Sequence, residues 1–336
     1  MLYDLAARIQ QARSQDMFTQ GALGSDSASN GRQTEIEEIC RDALHRFIER
    51  IQIAPARIEA DPTGTIARSL AATVNSWGCV DLSTPAYQKR FAAAVGITTL
   101  VFRHTRLETQ AYIAVYAFLA ICLDDLAVPE DALVAFAPRL LAGAPQGHWV
   151  LARFVAHLGA APRLFAPFSV AAMVSCTVQF VNSTLLDRMG AVRLTPGSLP
   201  YVHYKRAING VGEAFALFAW EAERFPDSSR YLQILPDLCR FMEYANDILS
   251  FYKEELAGEQ DNFVHDIMAV SGLDAPQVLS DLVDAAVKTV QRARIVLQDS
   301  EELKVFESML EGYIAFHFTV SRYRLREIYS MPPSPK

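Results

Sequence analysis

The chain has 336 residues, of which 51% are hydrophobic and 21% charged, with 16 Gly and 16 Pro. That is enough apolar material for a sizeable core and too little Gly and Pro for a loop-rich or all-β design. A net charge of −7 without any Lys/Arg block excludes an electrostatic case for nucleic acid or an anionic membrane.

Residues 1–33, polar, small and aperiodic from Ser14 onward, read as a mobile N-terminal segment. The N-terminus MLYDLAARIQQARSQD lacks the basic start and apolar run of a secretory signal. From Thr34 helical periodicity takes over. The run TEIEEICRDALHRFIERI places Ile36, Ile39/Cys40, Ala43/Leu44, Phe47 and Ile51 on one stripe, with Thr34 and Glu37 in capping-box spacing. Proline and glycine then punctuate the chain at regular intervals between segments rich in Ala, Leu, Phe and Arg. No alternating strand pattern and no repeat appears. Residues 111–123 are uninterrupted apolar residues but too few to span a bilayer, and residues 164–181 carry Pro167, Ser169, Ser175, Thr177 and Gln179. Both are expected as helices buried inside a large helical protein. The prediction is one all-α domain of ten or so helices over residues 34–330, a bundle around a central cavity, with a short tail at 331–336. Cys40, Cys79, Cys122, Cys176 and Cys239 are odd in number, widely spaced and without a C-x-x-C pair. Reduced thiols in a cytoplasmic protein are therefore expected, not a zinc site or a disulfide framework.

Three constellations carry chemistry. In NDILSFYKE, Asn246, Ser250 and Glu254 recur at i, i+4 and i+8. On a helix they fall within about 80° of arc, an oxygen-bearing stripe of the kind Mg²⁺ requires. Lys253 returns to nearly the same azimuth, where an ammonium neutralises a phosphate oxygen bridged to that metal. An ordinary polar face has the same spacing, but FMEYA before it is apolar, so the stripe projects from a buried helix. The second constellation is Asp124-Asp125, directly after the apolar helix. Two adjacent carboxylates there repel each other unless a cation stands nearby; a solvated helix end is the plain alternative. Positive charge is the third: Arg206 beside the Gly210/Gly212 pair, which permits a helix break, and Arg322-Tyr323 near the C-terminus. Singly, each arginine reads as a surface residue.

These residues resemble the class I terpene cyclases, and most closely the trichodiene-synthase-like fungal sesquiterpene cyclases. NDILSFYKE matches the family's (N/D)Dxx(S/T)xx(K/R)(D/E) motif at every position, and the similarity runs from about Asp81 to Tyr329. The resemblance implies three Mg²⁺ ions, with Asn246, Ser250 and Glu254 ligating one and Asp124 the other two. It implies that Asp125 pairs with Arg322 on closure, that Arg206 senses the diphosphate, and that Asn209 and Gly210 link it to ionisation through a helix break. Lys253 and Tyr323 become further diphosphate donors. It also implies farnesyl diphosphate as substrate, with geranyl diphosphate as the alternative, and admits a homodimer. The aspartate-rich stretch DDLAVPED departs from a DDxxD pattern, since Val128 stands where its third acid would be and only Glu130 and Asp131 follow.

A cation released in such a site must be kept from water, so the remaining cavity is expected to be apolar. Helical geometry before Asp124 nominates Tyr116, Ala117, Ala120 and Ile121 as lining residues; Phe91, Phe180 and Phe316 are further candidates with plain core packing as the alternative. A chain-elongating prenyltransferase shares the fold but carries two aspartate-rich DDxxD motifs. A non-catalytic helical scaffold leaves the company of acids and arginines without a reason.

Overall fold

A computed structural model describes residues 25–53, 55, 64–190 and 192–330, with the backbone alone for 25–32. Residues 1–24, most of the expected mobile segment, and the tail 331–336 lie outside the described residues. Within them are fourteen α-helices, three short 3₁₀ turns and no strand, one isolated bridge between Phe165 and Glu221 aside.

The first helix among the described residues, α1 (Ser25–Ile51), starts well before Thr34. Thr34 therefore lies inside a helix and the expected capping box does not form; Gln33 instead donates to Glu37 at 3.3 Å, one turn on. The stripe read from periodicity is real: Cys40, Ala43, Leu44, Phe47 and Ile51 are buried. After α2 (Thr65–Ser76) and α3 (Pro85–Val101) comes α4 (Leu107–Asp125), the apolar helix of the sequence. Every residue from 109 to 123 is buried except Ala111 and Ile121, which are half-buried. Helices α2, α3 and α6 (Trp149–Leu158) pack around α4. Both α4 and α7 (Pro167–Met189) are long and apolar enough to cross a membrane. The apolar window of α4 is 72% buried inside the protein, so its hydrophobicity is spent on the core.

Beyond α5 (Glu130–Leu141) and α7, the chain forms α8 (Leu199–Ile208), breaks, and resumes as α9 (Gly212–Leu217). The short α10 (Ser229–Leu232) leads to α11 (Leu235–Ala257), which packs on α9, α1 and α13 (Ala275–Leu297). Helix α12 (Phe263–Ser271) is capped by Asn262, and α13 by a reciprocal Asp274/Gln277 capping box. The last helix, α14 (Glu301–Thr319), capped by Ser300, lies against α3 and ends in 3₁₀ turns over Ser321–Tyr323 and Leu325–Glu327. Helices α3, α4, α7, α9, α11 and α14 enclose one cavity.

Helices α3 and α14 meet almost backbone to backbone at Gly312, where an added Cβ would stand 2.1 Å from the Leu100 carbonyl oxygen. Backbone cannot swing aside as a flexible side chain can, so a methyl group here forces the helices apart. Gly312→Ala is expected to cost at least ~1–3 kcal/mol in urea denaturation; unchanged stability would show that this crossing yields freely.

Candidate active site

The cavity has a volume of ≈ 520 Å³, within the range of small-molecule sites. Helix α4 supplies one wall. Asp124 and Asp125 stand at its C-terminal end, and Ala120 and Ala117 line the cavity one and two turns deeper. Ile121 lines it as well. Tyr116 does not: it is fully buried in the core, shares a 2.7 Å hydrogen bond with Thr177 and packs edge-on to Phe154, Phe215 and Phe218. Eight residues before Asp124, it sits about 80° round the helix from that wall, and an α4 that is apolar on all sides offers no periodicity to reveal this.

Helix α11 supplies a second wall. Asn246, Ser250, Lys253 and Glu254 all line the same cavity as Asp124, so the two acidic motifs face one space. Lys253 stands 3.2 Å from the Glu254 carboxylate. Asp124 reaches solvent through the cavity mouth yet is largely surrounded by protein. Burial and the neighbouring Asp125 charge push its carboxyl up, while Arg322 and Lys253 pull it back. Asp124 thus feels cations carried by both α11 and the C-terminal turn.

Arg206, at the end of α8, is buried between α8 and α11. Its Nε donates to both Asp247 carboxylate oxygens at 3.0 Å, and its Nη2 to the Glu243 carbonyl at 2.9 Å. Burial alone would depress the guanidinium, but the Asp247 carboxylate more than offsets this and holds it above its usual value. The chain then breaks at Asn209. Gly210 and Val211 follow with φ of 79° and 52°, and both line the cavity. Gly210 needs its missing Cβ here; Val211, β-branched and left-handed, is a true backbone outlier. Strain of this kind costs about 1–3 kcal/mol and persists only where surroundings over-determine it.

Arg322 and Tyr323 complete the rim. The Arg322 guanidinium lies 5.6 Å over the Tyr323 ring, and burial pushes the Tyr323 hydroxyl up to about 12, so it stays a neutral donor. Asp125 is paired with Arg90 at 3.0 Å, whereas the pairing expected with Arg322 belongs to the closed site. Arg90 projects from α3, which packs alongside α4 and so reaches Asp125 without any closure. Val128 is buried, and Glu130 and Asp131 open α5 away from the cavity, so the α4 wall carries Asp124 and Asp125 alone. Phe180 and Phe316 line the cavity as expected; Phe91 does not, and Ala93 and Ile97 of the same helix do. Phe215 and Met242 extend the apolar lining.

Four residues escaped sequence reasoning. Asp247 sits inside NDILSFYKE but about 100° from Asn246, pointing at Arg206, 41 residues away in sequence. Arg90 had no motif around it. His317, fully buried on α14, lies 3.4 Å from Asn246; burial, with Arg322 and Lys253 nearby, pushes its imidazole down to about 4. Its one signal was a histidine between two phenylalanines in AFHFTV. Glu243, one turn before Asn246, also lines the cavity, and burial pushes its carboxyl up to about 7 despite Arg206.

An all-helical cavity with acidic motifs from two of its helices and guanidinium groups from Arg206 and Arg322 defines a class I terpene synthase, a lyase. The sequence profile of the trichodiene synthase family matches residues 80–333, and the chain belongs to that family. Terpene synthase BipA of Cochliobolus sativus is 32% identical over 71% of this chain and 75% of its own length. Monoterpene synthase 25 of Postia placenta is 31% identical over 86% of this chain and 87% of its own. Among solved structures, linalool/nerolidol synthase from Streptomyces clavuligerus superposes with a TM-score of 0.56 at 17% identity, covering 82% of this chain and 98% of that one; it shares the fold.

Glu243 gives the site a pH signature. A carboxyl held near 7 when folded and near 4.5 when unfolded takes up a proton on folding between those values. Its stabilising contribution is complete below the lower value and lost as pH rises through the upper one. Between roughly pH 5 and 8, Glu243→Gln should flatten the fall in urea-measured stability; an unchanged slope would place that proton elsewhere.

Proposed function

We propose that the chain is a Mg²⁺-dependent sesquiterpene cyclase that ionises farnesyl diphosphate, cyclises the carbocation and releases diphosphate. The observation that carries this is the sorting of one cavity into two kinds of surface. Asp124, Asn246, Ser250 and Glu254 offer hard oxygen donors beside Arg206, Lys253, Arg322 and Tyr323, while Ala93, Ala117, Phe180, Phe215 and Phe316 are apolar.

The donor set fits magnesium. Mg²⁺ takes oxygen ligands and keeps positions for water and substrate phosphates, and these side chains supply oxygen alone. Burial and Asp125 disfavour the ionised Asp124 carboxyl, and a cation held there would favour that charged form. The family resemblance supports three ions, one on Asn246, Ser250 and Glu254 and two on Asp124. Bound there, Mg²⁺ would act as a Lewis acid on the diphosphate oxygens.

The chain's own residues do the remainder. Arg206, Lys253, Arg322 and the Tyr323 hydroxyl donate to oxygens whose negative charge grows as the allylic C–O bond breaks. The bonding pair leaves with the diphosphate, and a distal double bond attacks the carbon it vacates. Aromatic faces from Phe180, Phe215 and Phe316 stabilise positive charge without reacting with it. Arg90 occupies one Asp125 oxygen, and pairing with Arg322 on closure would engage the same carboxylate. The strained Gly210–Val211 break sits beside Arg206, where movement of the arginine would be felt by the cavity wall.

Geranyl diphosphate is the second substrate considered, and a monoterpene synthase among the relatives favours it. Incubating purified protein with farnesyl diphosphate and Mg²⁺ is expected to give a cyclic hydrocarbon or alcohol by gas chromatography. Turnover of geranyl diphosphate alone would reassign the chain length, and intact substrate in both cases would overturn the proposal. Asn246→Ala and Glu254→Ala should each abolish turnover while leaving the thermal midpoint close to that of the parent. Full activity in either would remove α11 from the metal site.

A further inference from the structure

We infer that His317 is a positioning residue that sets which end of the Asn246 carboxamide faces the cavity; this rests on the metal proposal above. Of the three donors on α11, Glu254 presents equivalent oxygens and the Ser250 hydroxyl rotates freely. Asn246 alone has two ends of the same shape and opposite hydrogen-bonding sense. If its amide turns over, an NH₂ group with no lone pair to offer replaces the oxygen that a hard cation needs.

His317 removes that ambiguity. Its Nδ1 stands 2.8 Å from the Tyr313 carbonyl oxygen, which accepts only, so Nδ1 carries the proton. No acceptor stands before Nε2 to take a second proton: the ring is buried and its Nε2 meets the Asn246 amide nitrogen, itself a donor. Nε2 is therefore a lone pair, and it lies 3.4 Å from Asn246 Nδ2. Only the amide N–H can satisfy it, which leaves Asn246 Oδ1 as the free end. The imidazole is itself held, with the Tyr323 ring at 4.4 Å and the Tyr313 ring at 4.6 Å between centroids. A chain runs from the α14 backbone through one imidazole to the orientation of one ligand, as outer partners orient metal ligands elsewhere.

The test measures Mn²⁺ binding in the presence of inorganic diphosphate, by calorimetry or electron paramagnetic resonance, without turnover. His317→Phe should weaken binding about tenfold. His317→Gln, whose side-chain carbonyl can accept the same hydrogen bond, should recover most of that loss. In an Asn246→Asp background, where either end is an oxygen, His317→Phe should change binding by less than about twofold. Unaltered affinity in His317→Phe, or an equal loss in both backgrounds, overturns the inference. So does failure of His317→Phe, His317→Leu and His317→Gln alike to fold, which would assign the ring to the core. A parent chain that binds no Mn²⁺ with diphosphate defeats the metal proposal instead.

Discussion

A single buried ion pair governs how the site is put together. Arg206 and Asp247, with side chains 15% and 10% exposed, sit where each charge costs several kcal/mol to take out of water. Such a pair is tolerable only with close geometry and further hydrogen bonds, and here both Asp247 oxygens and the Glu243 carbonyl serve the one guanidinium. Because Asp247 follows Asn246 directly, holding it toward α8 also fixes the rotation of α11. With that rotation set, Asn246, Ser250 and Glu254 turn to the cavity together. The arginine that would meet the diphosphate and the helix that would hold the metal are thus one mechanical unit.

Around that unit the protein separates charge from hydrocarbon. Asp124 and Asp125 stand at the end of α4, and the residues deeper on that helix that line the cavity, Ile121, Ala120 and Ala117, are apolar. Along α4 this separates the carboxylates from the apolar lining, as the proposed ionisation would require. The Gly210–Val211 break fits the same logic. A continuous helix would carry Arg206 and the α9 wall as a rigid rod; a break held in a strained conformation leaves a joint between them.

How much of this could be read from the residues varies with the distance over which each interaction acts. NDILSFYKE was legible because its three donors share one helical face and need no partner to be recognised. Helix α4 was legible as buried because its apolar run is too dense for a surface helix. Thr34 and Glu37 misled because a capping box and two interior residues have the same spacing, and α1 continues toward its N-terminus. Tyr116 misled because an all-apolar helix has no periodicity to separate the face toward the cavity from the face toward the core. Arg90 was invisible: it meets Asp125 only because α3 and α4 lie side by side.

The sequence by itself determined the helical class, the oxygen-bearing stripe on α11 and the acidic end of α4, since each depends on interactions within a few residues of chain. Only the tertiary structure decided that these two walls share one cavity and that Arg206 is committed to Asp247. The same holds for Asp125, bound to Arg90, and for His317, which stands beside Asn246. Those pairings join residues separated by 35 to 71 positions. Charge and hydrogen bonding act through space at a few ångströms, and no local pattern records which distant groups the packing of the helices will bring within that range.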